Sequence, residues 1–271
     1  MKKLLALLLC LAMVFTFAAC GSTTTDDAAD ETATEASWQD ELGTQGLLRV
    51  GMAADYPPFE SFDADGNVVG FDADMAQLIA DKLGLELEIV RMDFETIVSA
   101  VAAGTVDVGI SCFSYTDERA ESVLFTDTYM TSSQACFGST QYGINTMEDL
   151  AGGLVGAGNG TTGMDVAKEL AEVYGYETSV GEIAVMAEAL NAGAMQGVIT
   201  EQCVAESYIN ENPGEFQMIA EDLTVEEIKA ITNLNAPNLN AAINGAINEI
   251  QADEESYDAL IVSWFDMNLE D

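Results

Sequence analysis

The strongest constraint on the fold is an alternation of short apolar runs with amphipathic stretches that begins at Leu47. Leu47-Leu48-Arg49-Val50-Gly51-Met52 reads as a first strand, and Leu85-Glu86-Leu87-Glu88-Ile89-Val90 alternates as a second. Between them, Met75, Leu78, Ile79 and Leu83 share one face of a helix over Phe71 to Leu83 that Gly84 closes. Asp72 or Asp74 is the expected cap of that helix. Ile97, Val98 and Val101 mark another helix, stopped by Gly104, ahead of a buried strand over 106–110. Strands alternating with helices in this order imply a parallel sheet covered by helices on both faces.

Two interruptions punctuate the first half. Tyr56-Pro57-Pro58-Phe59-Glu60 cannot be regular structure, because its prolines lack donors and fix the backbone. Phe62 to Val69 holds a turn signal between apolar pieces and reads as a hairpin. A second unit of the same style follows Gly143. Thr146 to Leu150 looks like a capped helix start, and Leu154-Val155-Gly156-Ala157 is a strand. Gly158-Asn159-Gly160-Thr161-Thr162-Gly163 leads into a helix over Met164 to Tyr174. Helices near Ala184 to Asn191 and Gln202 to Asn210 flank a strand at Val198-Ile199-Thr200. The tail, Leu239 to Ile250 and Tyr257 to Phe265, is amphipathic helix.

Charge removes whole classes of function. The chain has 8 Lys and Arg against 47 Asp and Glu, and no histidine. So few cations assemble no basic patch, which excludes nucleic acid and electrostatic attraction to anionic lipid. The absence of histidine removes His-based triads and His metal sites. Cys112, Cys136 and Cys203 show no metal spacing, so neither a metal nor another cofactor is expected; the thiols are free or one disulfide joins two of them.

The N-terminus reads as an export signal over residues 1–19, with Lys2 and Lys3 ahead of an apolar run and then Ala18-Ala19-Cys20. Residues 20–37 are mostly Thr, Ala, Asp and Glu, with almost nothing to bury, and read as a disordered tether. The remainder is long enough for two modest domains.

One arginine stands out. Cys112-Phe113-Ser114-Tyr115-Thr116-Asp117-Glu118-Arg119 follows the strand over 106–110, and its end looks like a capped helix start. A polar loop of this kind can gather backbone N–H groups and a guanidinium around one carboxylate.

Six stretches in register resemble the bacterial extracellular solute-binding proteins of family 3. They are Tyr56 to Glu60, Val69-Gly70-Phe71-Asp72-Ala73-Asp74-Met75, Met92-Asp93-Phe94, Ser114 to Arg119, Gly160 to Gly163, and Trp264-Phe265. The resemblance implies a two-lobe α/β fold of the type II periplasmic-binding-protein kind, each lobe a mostly parallel sheet flanked by helices. Lobe 1 would span 38–138 and 229–271, and lobe 2 would span 139–228, with hinge strands crossing near 137–142 and 224–232. It implies an extracytoplasmic, monomeric protein that delivers a free amino acid to an ABC permease and its ATPase, and the N-terminal segment, which resembles a bacterial lipoprotein signal, implies a lipid on Cys20 that anchors it to the membrane. Carried over residue by residue, Arg119, Ser114, Thr161 and Thr162 would meet the ligand's carboxylate. Glu201, standing where the family has aspartate, and the carbonyl of Cys112 would meet its ammonium. Tyr56 and Phe94 would sandwich its stem, with Ala53 and Ser111 nearby. Ala53 replaces an aspartate of several relatives, which points to a polar or neutral amino acid. Asp72 and Asp74 are expected to act only as helix caps. The alternative function is a small-molecule lyase or dehydratase on the same fold, with Glu201 as general acid.

Overall fold

A computed structural model describes residues 37–265. The expected signal peptide and lipidated Cys20 lie outside the described residues, as does all of the expected tether but Ser37.

Strand β1 (Leu47–Met52) passes through the proline loop to a short hairpin, β2 (Ser61–Phe62) and β3 (Val68–Val69). Helix α1 (Phe71–Leu83), β4 (Glu86–Arg91), α2 (Phe94–Ala102) and β5 (Val108–Gly109) follow. A single helical turn, α3 (Asp117–Ala120), and β6 (Val123–Phe125) come next. Then β7 (Met130–Ser132) and β8 (Gln134–Ser139) carry the chain away from the first sheet. Strand β9 (Leu154–Ala157), α4 (Thr162–Tyr174), β10 (Glu177–Val180) and α5 (Ile183–Asn191) begin the second half. They lead to β11 (Gly197–Glu201), α6 (Gln202–Glu211) and β12 (Phe216–Ala220). The chain returns through β13 (Glu226–Ile228) and β14 (Ile231–Asn233) to α7 (Pro237–Ala252) and α8 (Glu254–Phe265).

Two five-stranded sheets result, in the orders β4-β1-β5-β14-β6 and β10-β9-β11-β8-β12. Strand β1 is parallel to β4 and β5, and β9 is parallel to β10 and β11, as the strand–helix alternation requires. Each sheet gains its antiparallel members from the crossing and returning segments: β14 against β5 and β6, β8 against β11 and β12. Strands β7 and β13 form a separate antiparallel ribbon, and β13 also bridges to Ser114 through Ile228.

The crossing comes earlier than its expected place. The first crossing was expected near 137–142, with lobe 1 running to 138, yet residues 134–139 are all buried as an inner strand of the second sheet. Gly138 allows this packing, because a Cβ there would stand 2.7 Å from Ile219 and 2.9 Å from the carbonyl of Gln196. The helix ends follow ordinary capping chemistry. Gly84 and Gly175 close α1 and α4 in the left-handed conformation, and Thr161 caps α4 by accepting from Met164 N–H at 3.2 Å. Helix α1 is different: its N-cap is Gly70, with no side-chain cap. Leu48, Val50 and Met52 of β1 are fully buried with Met75, Ile79 and Phe71 of α1 beneath them. Phe71 and Phe59 each pack edge-on against Phe265 of α8.

Candidate functional site

The chain ends of the central strands converge on a cavity of about 320 Å³. From the first sheet come the loops after β1 and β5, the start of α2, and α3. From the second come the β9–α4 turn, the loop between β10 and α5, and the end of β11. All ten residues singled out from the sequence line it: Ala53, Tyr56, Phe94, Ser111, Cys112, Ser114, Arg119, Thr161, Thr162 and Glu201. Ligands of open α/β sheets are held at this end of the strands.

Arg119 is placed by α3, whose Thr116 cap accepts from Arg119 N–H at 3.1 Å. Its guanidinium donates to the carbonyls of Ser114 at 2.7 Å and Gly160 at 2.9 Å. It also lies 5.5 Å from the centre of the Phe94 ring and 5.4 Å from that of Phe113, which stack at 4.8 Å. Among the described residues no carboxylate stands within ion-pair distance of it. The arginine is therefore oriented by carbonyls and aromatic faces, with its charge unmatched. Across the cleft, the N-terminus of α4 points backbone N–H groups and a favourable dipole at an anion.

Tyr56 spans the cavity. Its hydroxyl meets Thr200 Oγ1 at 2.5 Å and accepts from Glu201 N–H at 3.0 Å. With the Arg119–Gly160 bond, a Thr162–Ser114 hydroxyl contact at 3.4 Å and an Asn159–Glu95 bond at 3.2 Å, the two sheets are drawn together over the site.

Glu201 ends β11 and is 3% exposed. Its Oε1 accepts from Gln134 Nε2 at 2.5 Å, while Oε2 is buried without a partner among the described residues. Burial pushes this carboxyl up to about 8, with the Glu226 charge acting in the same direction. A cation beside it would pull it back down.

Two residues of α1 correct the expectation for its cap. Asp72 does not cap the helix; its carboxylate points inward and accepts from Cys112 N–H at 2.5 Å and Tyr129 O–H at 2.9 Å. Cys112 sits at φ 48°, a conformation costly for a non-glycine residue, and Asp72 fixes the loop there. Asp74 instead accepts from the Trp264 indole at 2.7 Å. Burial pushes the Asp72 carboxyl up to about 6.

The cavity also holds carboxylates to which the sequence assigns no role: Asp55, Glu60, Asp93, Glu95 and Glu182. Glu60 is 1% exposed; its Oε1 accepts from Ser111 Oγ at 2.5 Å and its Oε2 has no partner among the described residues. Burial, reinforced by the charge of Asp72, pushes it well above the usual carboxylate range. Its only mark in the sequence is its place at the end of the proline loop. Asp55 is raised by burial and by Glu182.

With this geometry in hand, the comparisons with known proteins are direct. Residues 48–267 match the profile of the bacterial extracellular solute-binding proteins, family 3. The arginine-binding extracellular protein ArtP of Bacillus subtilis (strain 168) is 31% identical over 267 residues, 98% of each chain. A solved ancestral arginine-binding protein bound to arginine superposes with a TM-score of 0.76 at 33% identity, covering 81% of this chain and 98% of that one. An ancestral amino acid-binding protein, a precursor of cyclohexadienyl dehydratase, gives 0.76 at 30% identity over 84% of this chain and 100% of its own. The two sheet-bearing lobes are those of a type II periplasmic binding protein, and the chain belongs to the bacterial extracellular solute-binding proteins of family 3.

Proposed function

We propose that this protein captures a cationic amino acid in the cleft between its two sheets and delivers it to the permease and ATPase of an ABC importer. The observation that carries the choice of side chain is the cavity wall, where six carboxylates face a single guanidinium. A ligand whose distal end carries no donor would leave Glu60 Oε2 buried and unpaired, at a cost of about 1–3 kcal/mol, and a guanidinium or ammonium satisfies it while also matching the acidic wall. The replacement of an aspartate by Ala53 had pointed to a polar or neutral ligand. Asp55 of the same loop, with Asp93, Glu95 and Glu182 of the wall, sets acids at other positions and favours the opposite choice. The arginine-binding names of the Bacillus relative and the ancestral structure support the same reading.

In this reading the ligand's carboxylate meets Arg119, Ser114 and the Thr161–Thr162 turn, and its ammonium meets Glu201 and the Cys112 carbonyl. Its stem lies between Tyr56 and Phe94, past Ala53 and Ser111, and its distal cation reaches Glu60 and Asp55. Closure excludes water and so strengthens each ion pair. The bound form is the one that docks on the permease, with no turnover of the ligand; Glu201 serves as a charge partner and not as a general acid. Lipid on Cys20 would hold the monomer at the outer face of the membrane, a reading supported by the Ala18-Ala19-Cys20 sequence. Calorimetric titration with the twenty amino acids tests the proposal. Arginine is expected to bind tightest, followed by lysine and histidine. Preference for a neutral amino acid, or no binding by folded protein, overturns it.

A further inference from the structure

Gln134 opens β8 and stands opposite Glu201 in the antiparallel register between β8 and β11. Its side chain lines no part of the cavity wall and is almost wholly buried behind it. From there Nε2 donates to Glu201 Oε1 at 2.5 Å and approaches Thr162 Oγ1 at 3.3 Å. One amide thus touches the acid assigned to the ammonium and the helix turn assigned to the carboxylate. Its backbone is tied to the returning segment as well. Gln134 N–H donates to Thr224 Oγ1 at 3.0 Å, and its carbonyl accepts from Leu223 N–H at 2.8 Å. Gly163 makes the arrangement possible, since a Cβ there would stand 2.7 Å from Gln134 Oε1. Like Glu201 Oε2, that Oε1 is buried and has no partner among the described residues.

We infer that Gln134 is a positioning residue for ligand binding: it holds one oxygen of Glu201 so that the other is presented to the ligand's ammonium. A glutamate has one more rotatable bond than the aspartate usual in the family, and immobilising it only when ligand arrives would weaken binding. The amide immobilises it beforehand and favours its charged form, since a donated hydrogen bond stabilises a carboxylate over a carboxylic acid. This inference rests on the amino-acid reading of the site.

The test uses Gln134→Met, which keeps length and volume but removes the donor, with arginine as the probe, titrated calorimetrically between pH 5.5 and 9. The groups acting on Glu201 besides Gln134 are the Ser132 side chain of β7, Glu226 of β13 and Arg119 of α3, and its own charge is felt by Tyr56 of the proline loop, Cys112 after β5 and Cys203 of α6. None of them is altered by the substitution. A protonated Glu201 cannot pair with an ammonium, so affinity falls as pH drops through its pKa. Without the donor that pKa rises, and the fall begins at higher pH. The expected result is roughly tenfold weaker binding near neutral pH, with the acid limb moved upward. In a Glu201→Gln background the same substitution is expected to add little further loss. Should Gln134→Met fail to fold, Gln134→Glu sets a second carboxyl against Glu201 and is expected to weaken binding more. Unchanged affinity and pH profile in either folded variant, beside a parent that binds, overturns the inference alone. A packing role would lower thermal stability without moving the pH profile, and that result overturns it too. A parent protein that binds no amino acid overturns the reading of the site, and this inference with it.

Discussion

Arg49 and Arg119 carry the same side chain to opposite ends. Arg49 faces Asp107, which is 3% exposed, and Nε and Nη2 reach its two oxygens at 3.2 and 3.1 Å. The backbone N–H groups of Gly43 and Arg49 complete that carboxylate at 2.8 and 2.9 Å. The remaining guanidinium donors meet the carbonyls of Thr105 and Gly104, so the unit is closed. Arg119 has carbonyls and aromatic faces around it but, among the described residues, no acid, while Glu201 across the cleft and Glu60 on its own side each keep one buried oxygen unpaired. A structural ion pair satisfies itself within the fold; a binding site leaves matched halves apart for the ligand to join. Burial in both places is what gives the difference its energetic weight.

The comparison breaks most visibly at Arg119. Replacing it with Met keeps the aromatic packing but removes the one cation that lines the cavity among the described residues, the group proposed to meet the ligand's carboxylate. Arginine affinity is expected to fall at least about 100-fold, roughly 3 kcal/mol, since a desolvated carboxylate would lose its charged donors. Thermal stability of the ligand-free protein is expected to hold or rise, because the charge it removes has no acid partner in the fold. Calorimetry and thermal melts on the same sample measure both. A variant that melts early yet binds normally would make Arg119 the structural residue.

Arg49→Met should show the reverse pattern. Asp107 would keep its backbone donors but stand as a buried charge without its counter-ion, at a cost of about 2–3 kcal/mol in stability. Arginine affinity, measured below the new melting point, is expected to stay within about twofold, within the scatter of substitutions outside the interface. Denaturant unfolding gives the first number and calorimetry the second.

The two arginines were unequally legible in the sequence. Arg119 stood out because its helix start is local, with cap and acids within four positions, and because the loop around it matches a family motif. The strand–helix alternation likewise comes from nearest-neighbour periodicity, and it gave the two sheets. What could not be read was pairing at a distance. Asp72 looks like a helix cap from its neighbours, but its partner Cys112 is 40 positions away. Gln134 and Glu201 are 67 positions apart, and Arg49 and Asp107 are 58. None of these contacts leaves a repeat or a spacing in the chain. The early crossing into β8 was hidden for a related reason. A strand that opens on glutamine and contains glycine is buried by its neighbours β11 and β12, not by its own apolar pattern. Glu60 was passed over because one more acid among 47 carries little information until its unpaired oxygen is seen.

The smallest effect is the one that tests the premise of the comparison. Lys82 and Glu249 form an ion pair at 3.3 Å between α1 and α7, a separation much like that of Arg49 and Asp107. The difference is solvent: the two side chains are 38% and 71% exposed, so water and salt screen the attraction and each partner remains hydrated when the other is removed. Lys82→Met is therefore expected to change stability by less than about 0.5 kcal/mol and arginine affinity not at all. If denaturant unfolding instead gave a loss as large as that of Arg49→Met, proximity of opposite charges would be enough to explain Arg49. The weight placed on burial, and with it the reading of the unpaired oxygens of Glu60 and Glu201 as places kept for a ligand, would fall.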